Sequence, residues 1–182
     1  MRRLAALLAL LLLVACSQAT TKVDSGLKAG AYTGTIGQAT YQVDIPAKWN
    51  GTLLLYSHGY AAPTGGNPAA DAGDATTKAW LLENGYALAG SSYSSTGWAL
   101  ADAFQDQVAL LGTFAKKFGK PKRTVAWGHS LGGIITAGLV QLHPELFPGA
   151  LPMCGVLAAG IANWYGALVI GFAIQVLLVP YL

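Results

Sequence analysis

Val125-Ala126-Trp127-Gly128-His129-Ser130-Leu131-Gly132-Gly133 is the stretch whose reading decides the fold. A short apolar run, 124–127, meets Gly-x-Ser-x-Gly, and small and apolar residues continue to position 140. The order is strand, sharp turn, helix. In a nucleophile elbow of this kind the turn is so tight that both flanking positions must be glycine, here Gly128 and Gly132. The serine between them is held in a strained conformation, with its hydroxyl exposed at the strand's carboxyl end. The first N–H groups of the following helix converge beside that hydroxyl, where an oxyanion would form.

Upstream, residues 52–57 (Thr-Leu-Leu-Leu-Tyr-Ser) form a continuous apolar run, the pattern of a strand buried on both faces. It leads into His58-Gly59-Tyr60. A lone His after a strand is usually structural, and His58 reads as shaping this loop. Before it, 32–39 and 40–45 read as two β segments, with Tyr41, Val43 and Ile45 alternating with polar residues. After it, the Pro/Gly/Ala-rich loop 61–72 is expected to rim the site. Residues 74–83 read as a helix closed by Asn84-Gly85, and 86–90 as the next strand. The hydroxyl-rich loop 91–98 follows at a strand's carboxyl end, where open α/β sheets place ligand contacts.

Residues 100–119 are the clearest helix, with Phe104, Val108, Leu111, Ala115 and Phe118 stepping by four and three along one apolar stripe. Asp102 and Asp106 lie near its start and Lys116, Lys117 and Lys120 near its end. That distribution complements the helix dipole and explains these carboxylates without catalysis. Beyond the elbow helix, which ends at His143-Pro144, residues 149–155 read as another buried strand with Cys154 in the core. From residue 52 the order is β-α-β-α-β-α-β, which implies a parallel sheet wound by right-handed crossovers.

His58-Gly59, the loop 91–98 and Gly128-His129-Ser130-Leu131-Gly132 resemble the α/β-hydrolase superfamily, and the wording around them resembles bacterial secreted esterases and amidases, including phthalyl-amidase-like enzymes. The likeness covers about residues 32–159. It implies a mostly parallel sheet with helices on both faces. It also implies Ser130 as nucleophile, with an oxyanion hole formed by the N–H of Leu131 and one from Gly59 or Tyr60. His129, inside the elbow, is a packing or shaping residue in this reading, and Tyr93 and Trp98 are candidate substrate contacts. The resemblance implies hydrolysis of a small ester or amide through an acyl-enzyme, with no metal and no cofactor.

The chain departs from that pattern in one respect. Enzymes of this fold place an Asp or Glu, and then a His, on loops well beyond the elbow. After Ser130 this sequence offers one acid, Glu145, and one His, His143. Both lie at the foot of the elbow helix, roughly 18 Å from the nucleophile for about twelve residues at 1.5 Å each. Hydrogen-bond reach is about 3 Å. The core at 31–160 therefore reads as a partial α/β-hydrolase fold that lacks the last strands and the acid and His loops.

The ends carry their own signals. Met1-Arg2-Arg3 followed by the apolar run 4–14 is a signal peptide too short for a stable bilayer span. It closes on Leu13-Val14-Ala15-Cys16, which resembles a bacterial lipobox, so residues 1–16 read as a lipoprotein signal with Cys16 acylated. Residues 17–30 then form a polar tether in an exported protein anchored to the cell envelope. Of 11 basic residues against 8 acidic, Arg2 and Arg3 belong to the signal, leaving 9 basic. No basic patch argues for nucleic acid. At the other end, the stretch 161–182 is nearly all apolar. Its length suits a transmembrane helix, whereas Gly166, Gly171 and Gln175 suit the start of a lid or cap insertion over the site. Two other outcomes stand beside the hydrolase: a non-catalytic envelope lipoprotein binding a small apolar ligand, and the product of a truncated gene. Oligomeric state is not legible.

Overall fold

The computed structural model describes residues 28–179. The lipoprotein signal and Cys16 lie outside them. Six strands form one sheet: β1 (Gly30–Ile36), β2 (Ala39–Ile45), β3 (Thr52–Ser57), β4 (Ala87–Ser91), β5 (Arg123–His129) and β6 (Gly149–Met153). Their spatial order is β1-β2-β4-β3-β5-β6. Among the described residues four helices connect or follow them: α1 (Ala75–Glu83), α2 (Leu100–Phe118), α3 (Leu131–Leu142) and α4 (Ala159–Leu178). The β1–β2 hairpin joins the sheet antiparallel to β4, while β4, β3, β5 and β6 run parallel.

Crossover direction places the helices. The step from β3 to β4 runs one way along the sheet, and the steps from β4 to β5 and from β5 to β6 run the other. Right-handed crossovers then put α1 on one face and α2 and α3 together on the other. The α2–α3 pairing is direct: Phe104 of α2 lies so close to Gly138 of α3 that an added Cβ would sit 2.5 Å from its ring. Between α2, α3 and the sheet, Leu53, Leu55, Ala89, Leu110, Phe114, Ala126, Ile135 and Leu139 form a dry core. Each large side chain buried there stabilises the fold by about 1.5–3 kcal/mol.

Three expectations are corrected. The buried face of α2 is Ala103, Gln107, Leu110, Phe114 and Phe118, one position round from the expected stripe. Phe104, Val108 and Leu111 flank it, half-buried. Gln107 misled the reading because it is polar yet fully buried, its Nε2 donating to the Tyr56 carbonyl (2.7 Å) and the Ser57 hydroxyl (2.9 Å). Second, among the described residues β6 pairs with β5 alone, its middle three residues are exposed, and Leu151 is 54% exposed. Third, Cys154 leaves β6 with a positive φ of 47° and is exposed, so it is no core residue.

A buried ionic knot ties the hairpin to α1. Lys78 Nζ donates to Asp44 Oδ2 (2.6 Å) and Asp71 Oδ1 (2.9 Å), and Gln42 Nε2 donates to Asp44 Oδ2 (3.0 Å). Burial, and then the hydrogen bond and charge of Asp44, raise the Asp71 carboxyl to about 6. Burial opposes ionisation of Asp44, yet its bonds to Asp71, Lys78 and Gln42 outweigh that and hold it below the usual carboxylate value.

Helix α4 stands apart. Among its described side chains nearly all are exposed, and none is charged. The span Gly160–Leu178 has a mean hydropathy of 1.8. Its ring contact with the body is Trp164 against Trp98, at 6.1 Å between centroids.

Candidate active site

Register brings the pieces together. Ser57 of β3 pairs with Gly128 of β5, and Tyr56 pairs with Gly90 of β4. The three loops that leave these carboxyl ends, at 58–61, at 92–99 and at the elbow, therefore start side by side.

Ser130 sits between β5 and α3 with φ 56° and ψ −120°, a backbone conformation that costs about 1–3 kcal/mol and persists only where the surroundings enforce it. They do. A Cβ at Gly128 would lie 2.4 Å from the Ser57 carbonyl oxygen, and one at Gly132 only 1.9 Å from the same atom. Strand β3 thus runs against the bare backbone of the elbow. From the other side Ser130 N–H donates to the Met153 carbonyl of β6 (3.0 Å), and the Thr136 hydroxyl donates to the Gly132 carbonyl (2.7 Å). Leu131 is the first helical residue, so its N–H has no intrahelical acceptor. Its side chain is buried and fixes the start of the helix.

The turn after β3 is pinned at two successive peptides. The Tyr93 hydroxyl donates to the His58 carbonyl (3.1 Å), and the Gly59 carbonyl lies 2.7 Å from His58 Nδ1. A trans peptide points its N–H opposite its C=O, so fixing these two carbonyls also aims the N–H groups of Gly59 and Tyr60. The His58 ring stacks on Tyr93 at 4.1 Å, with Nε2 3.2 Å from the Ser92 carbonyl. Both ring nitrogens thus face backbone oxygens, and the one N–H of a neutral imidazole donates to one of them. Tyr93 is itself unusual: φ is 64° and the side chain is 1% exposed. Burial pushes its phenol well above the ordinary value, so it remains an O–H donor. Tyr93 was expected to contact substrate, and its burial corrects that reading: it braces the turn.

His129 points away from a catalytic role. Its Nδ1 is 2.6 Å from the Tyr56 hydroxyl, and Nε2 faces Gly59, 3.1 Å from where a Cβ would be. Burial, followed by the charge of Asp74, raises the Tyr56 phenol to about 12, so it keeps its proton beside the His129 ring. His143 and Glu145 pair with each other at the foot of α3, 3.7 Å apart. Among the described residues the Ser130 hydroxyl has no hydrogen-bond partner. Among the same residues no group of three or more His, Cys, Asp or Glu is placed to hold a metal ion.

Trp98 and Tyr60 are about half exposed, 6.3 Å apart, and Trp164 of α4 extends them into an open aromatic shelf. The backbone beneath is joined by Gly97 N–H to the Ala61 carbonyl (2.8 Å). A cavity of about 540 Å³ lies at the opposite end of the sheet, between Lys122, Arg123, Pro144 and Glu145, and is separate from this cluster.

Sequence reasoning missed the anchoring of loop 91–98. Asp106 takes both the N–H (2.6 Å) and the hydroxyl (3.0 Å) of Ser94, and Asp102 accepts a short bond from the Ser95 hydroxyl. The signal was present as Ser94-Ser95 followed by carboxylates one helical turn apart, but the dipole accounted for those carboxylates and hid it.

Comparison with known proteins bears on the fold. Residues 84–169, just under half of the chain, match the prolyl oligopeptidase family of peptidases (S9). The fluorophosphonate-binding serine hydrolase F of Staphylococcus aureus, with substrate bound, superposes with a TM-score of 0.51 at 16% identity, covering 71% of this chain and 57% of that one. The S-formylglutathione hydrolase of the same organism gives 0.52 at 14% identity, with the same coverages of 71% and 57%. No curated protein sequence matches significantly. The chain has the α/β-hydrolase fold. It spans little more than half the length of either structure.

Proposed function

We propose that this chain carries the nucleophile and oxyanion hole of a serine hydrolase that cleaves ester or amide bonds in small molecules through an acyl-enzyme. The observation that carries the reading is Ser130, forced to φ 56° by two glycines with no room for a side chain and left with an unbonded hydroxyl at the carboxyl edge of the sheet. Ser130 Oγ attacks the carbonyl carbon. The N–H of Leu131 and one from Gly59 or Tyr60 stabilise the oxyanion, and the leaving alcohol or amine departs with a proton. Water then attacks the acyl-enzyme, releasing the acid and restoring the Ser130 hydroxyl. The proton carrier comes from outside the described residues, because an unassisted serine is a weak nucleophile at neutral pH. The chemistry requires no metal or cofactor. Trp98 and Tyr60 suit an acyl or aryl group. Cys16 anchors the protein to the envelope through a lipid.

The test is covalent labelling by a fluorophosphonate of the purified full-length protein, including whatever segment supplies the proton carrier, read by intact mass, with turnover of an activated ester alongside. Labelling lost in Ser130→Ala is the expected result. Absence of labelling and turnover in the unaltered full-length protein refutes the hydrolase reading. One observation favours the second reading, a binding lipoprotein: no described group can take the Ser130 proton. Ligand affinity unchanged in Ser130→Ala, with no labelling, establishes it.

A further inference from the structure

The pair Asp102 and Asp106 has a use that the helix dipole does not cover. A carboxylate satisfied by the dipole alone needs no partner, yet both aspartates are spent on consecutive serines of one loop. Asp106 grips Ser94 at its backbone and its side chain at once, which fixes the chain immediately after Tyr93. Tyr93 holds a positive φ without being glycine, a strained state that needs enforcement from its neighbours. Ser94 and Asp106 enforce it from the C-terminal side. From the N-terminal side, the Tyr93 N–H donates to Ser91 Oγ (3.0 Å) and the Ser92 hydroxyl donates to the Tyr93 carbonyl (2.9 Å). Asn67 Nδ2 also donates to that carbonyl (2.9 Å). Held in this way, Tyr93 delivers its hydroxyl to the His58 carbonyl and its ring face to the His58 imidazole. Those two contacts fix the peptides on either side of Gly59.

We propose that Asp106, supported by Asp102, is a positioning residue for the oxyanion turn, acting through Ser94, Tyr93 and His58 on the N–H groups of Gly59 and Tyr60. The inference rests on the hydrolase reading for its catalytic meaning. Its structural content, that α2 sets the orientation of the 58–60 turn, stands separately. Neither aspartate touches substrate. The mechanical route is short: one carboxylate, one serine, one tyrosine ring.

The experiment compares Asp106→Ala, Asp106→Asn and Tyr93→Phe with the unaltered full chain by two readouts. Amide hydrogen exchange follows a peptide containing residues 58–60, and fluorophosphonate labelling gives the rate of attack by Ser130. Asp106→Ala and Tyr93→Phe are expected to exchange that segment about tenfold faster and to label about tenfold more slowly. Asp106→Asn keeps an acceptor for the Ser94 N–H, so it is expected to recover most of both. Tyr93→Phe preserves the ring and its packing, so it reports on the hydroxyl even if Asp106→Ala folds poorly. Unchanged exchange at 58–60 in both Asp106→Ala and Tyr93→Phe overturns the proposal. Lowered melting temperature with unchanged labelling rate at 25 °C also overturns it, by reducing the brace to a stabilising contact. An unaltered chain that fails to label refutes the hydrolase reading, and the exchange data still decide the brace.

Discussion

Gly132→Ala introduces one methyl group at the tightest point of the elbow. Its Cβ would lie 1.9 Å from the Ser57 carbonyl oxygen, 2.6 Å from the Ser57 carbonyl carbon and 2.7 Å from the His58 carbonyl oxygen. A comfortable C···O contact is about 3.3 Å, so β3 and α3 would have to part by about 1.4 Å. All three obstructing atoms are backbone, so no side chain can swing aside. Separating a central strand from the helix above it disturbs the Ser57–Gly128 register and the packing of Leu55 against α3. Overpacking in cores typically costs 1–3 kcal/mol, and a rigid backbone obstacle belongs at about 3 kcal/mol or above. For a chain of this size that is a drop of about 10 °C in melting temperature. The assay is thermal unfolding by far-ultraviolet circular dichroism, with urea titration for the free energy. Gly166→Ala in α4 is the control. Its Cβ meets nothing within 4 Å, so it should be neutral or stabilise the helix by about 0.5–1 kcal/mol. A Gly132→Ala protein melting within 1 °C of the parent would refute the argument that β3 presses directly on the elbow.

The remaining predictions concern the polar groups around the sheet. Asp71 binds its proton more tightly in the folded chain, at about 6 against 3.8 unfolded. Its contribution to stability is therefore complete below pH 3.8 and lost as pH rises through 6. Urea midpoints for Asp71→Asn, measured between pH 4 and 7, should show less of this fall than the parent, and identical pH dependence would contradict the assignment. Tyr56→Phe removes the bond to His129 Nδ1, which sits at an exposed residue and can bond water instead. A loss of about 1 kcal/mol in urea is expected, whereas a loss above 3 kcal/mol would mean that the pair does more than shape the elbow.

Local rules made the central part of the fold legible. The continuous apolar run 52–57, the glycine-flanked Ser130 and the Asn84-Gly85 helix stop each require only near neighbours in sequence, and each lies where it was expected. Burial depends on partners distant in sequence, and there the reading slipped. Gln107 looks like a surface residue until β3 supplies a carbonyl and a hydroxyl for its amide. Leu151 and Cys154 look like core residues, yet among the described residues β6 has a neighbour on one side and leaves them exposed. At the site, the same division holds. Ser130, Gly128 and Gly132 were legible because the elbow is local, whereas the role of Tyr93 depends on His58, 35 residues away. An aromatic residue in a loop suggests a ligand contact, and only the tertiary structure shows it facing inward.

Among the described residues the outer margin of β6 is unpaired, which has a practical consequence for this stretch of chain in solution. An exposed strand offers unpaired backbone groups to any other extended segment it meets, which is how edge strands promote clumping. The outermost strand here runs Gly149-Ala150-Leu151-Pro152-Met153. Pro152 has no N–H, so any strand adding to this margin would find one rung of its ladder without a donor. The same short strand lends its Met153 carbonyl inward to Ser130. A foreign strand that nevertheless docked there would twist β6, and the backbone of Ser130 would shift with it. Self-association through this margin would therefore disturb the elbow backbone in a concentration-dependent way before any visible precipitate forms.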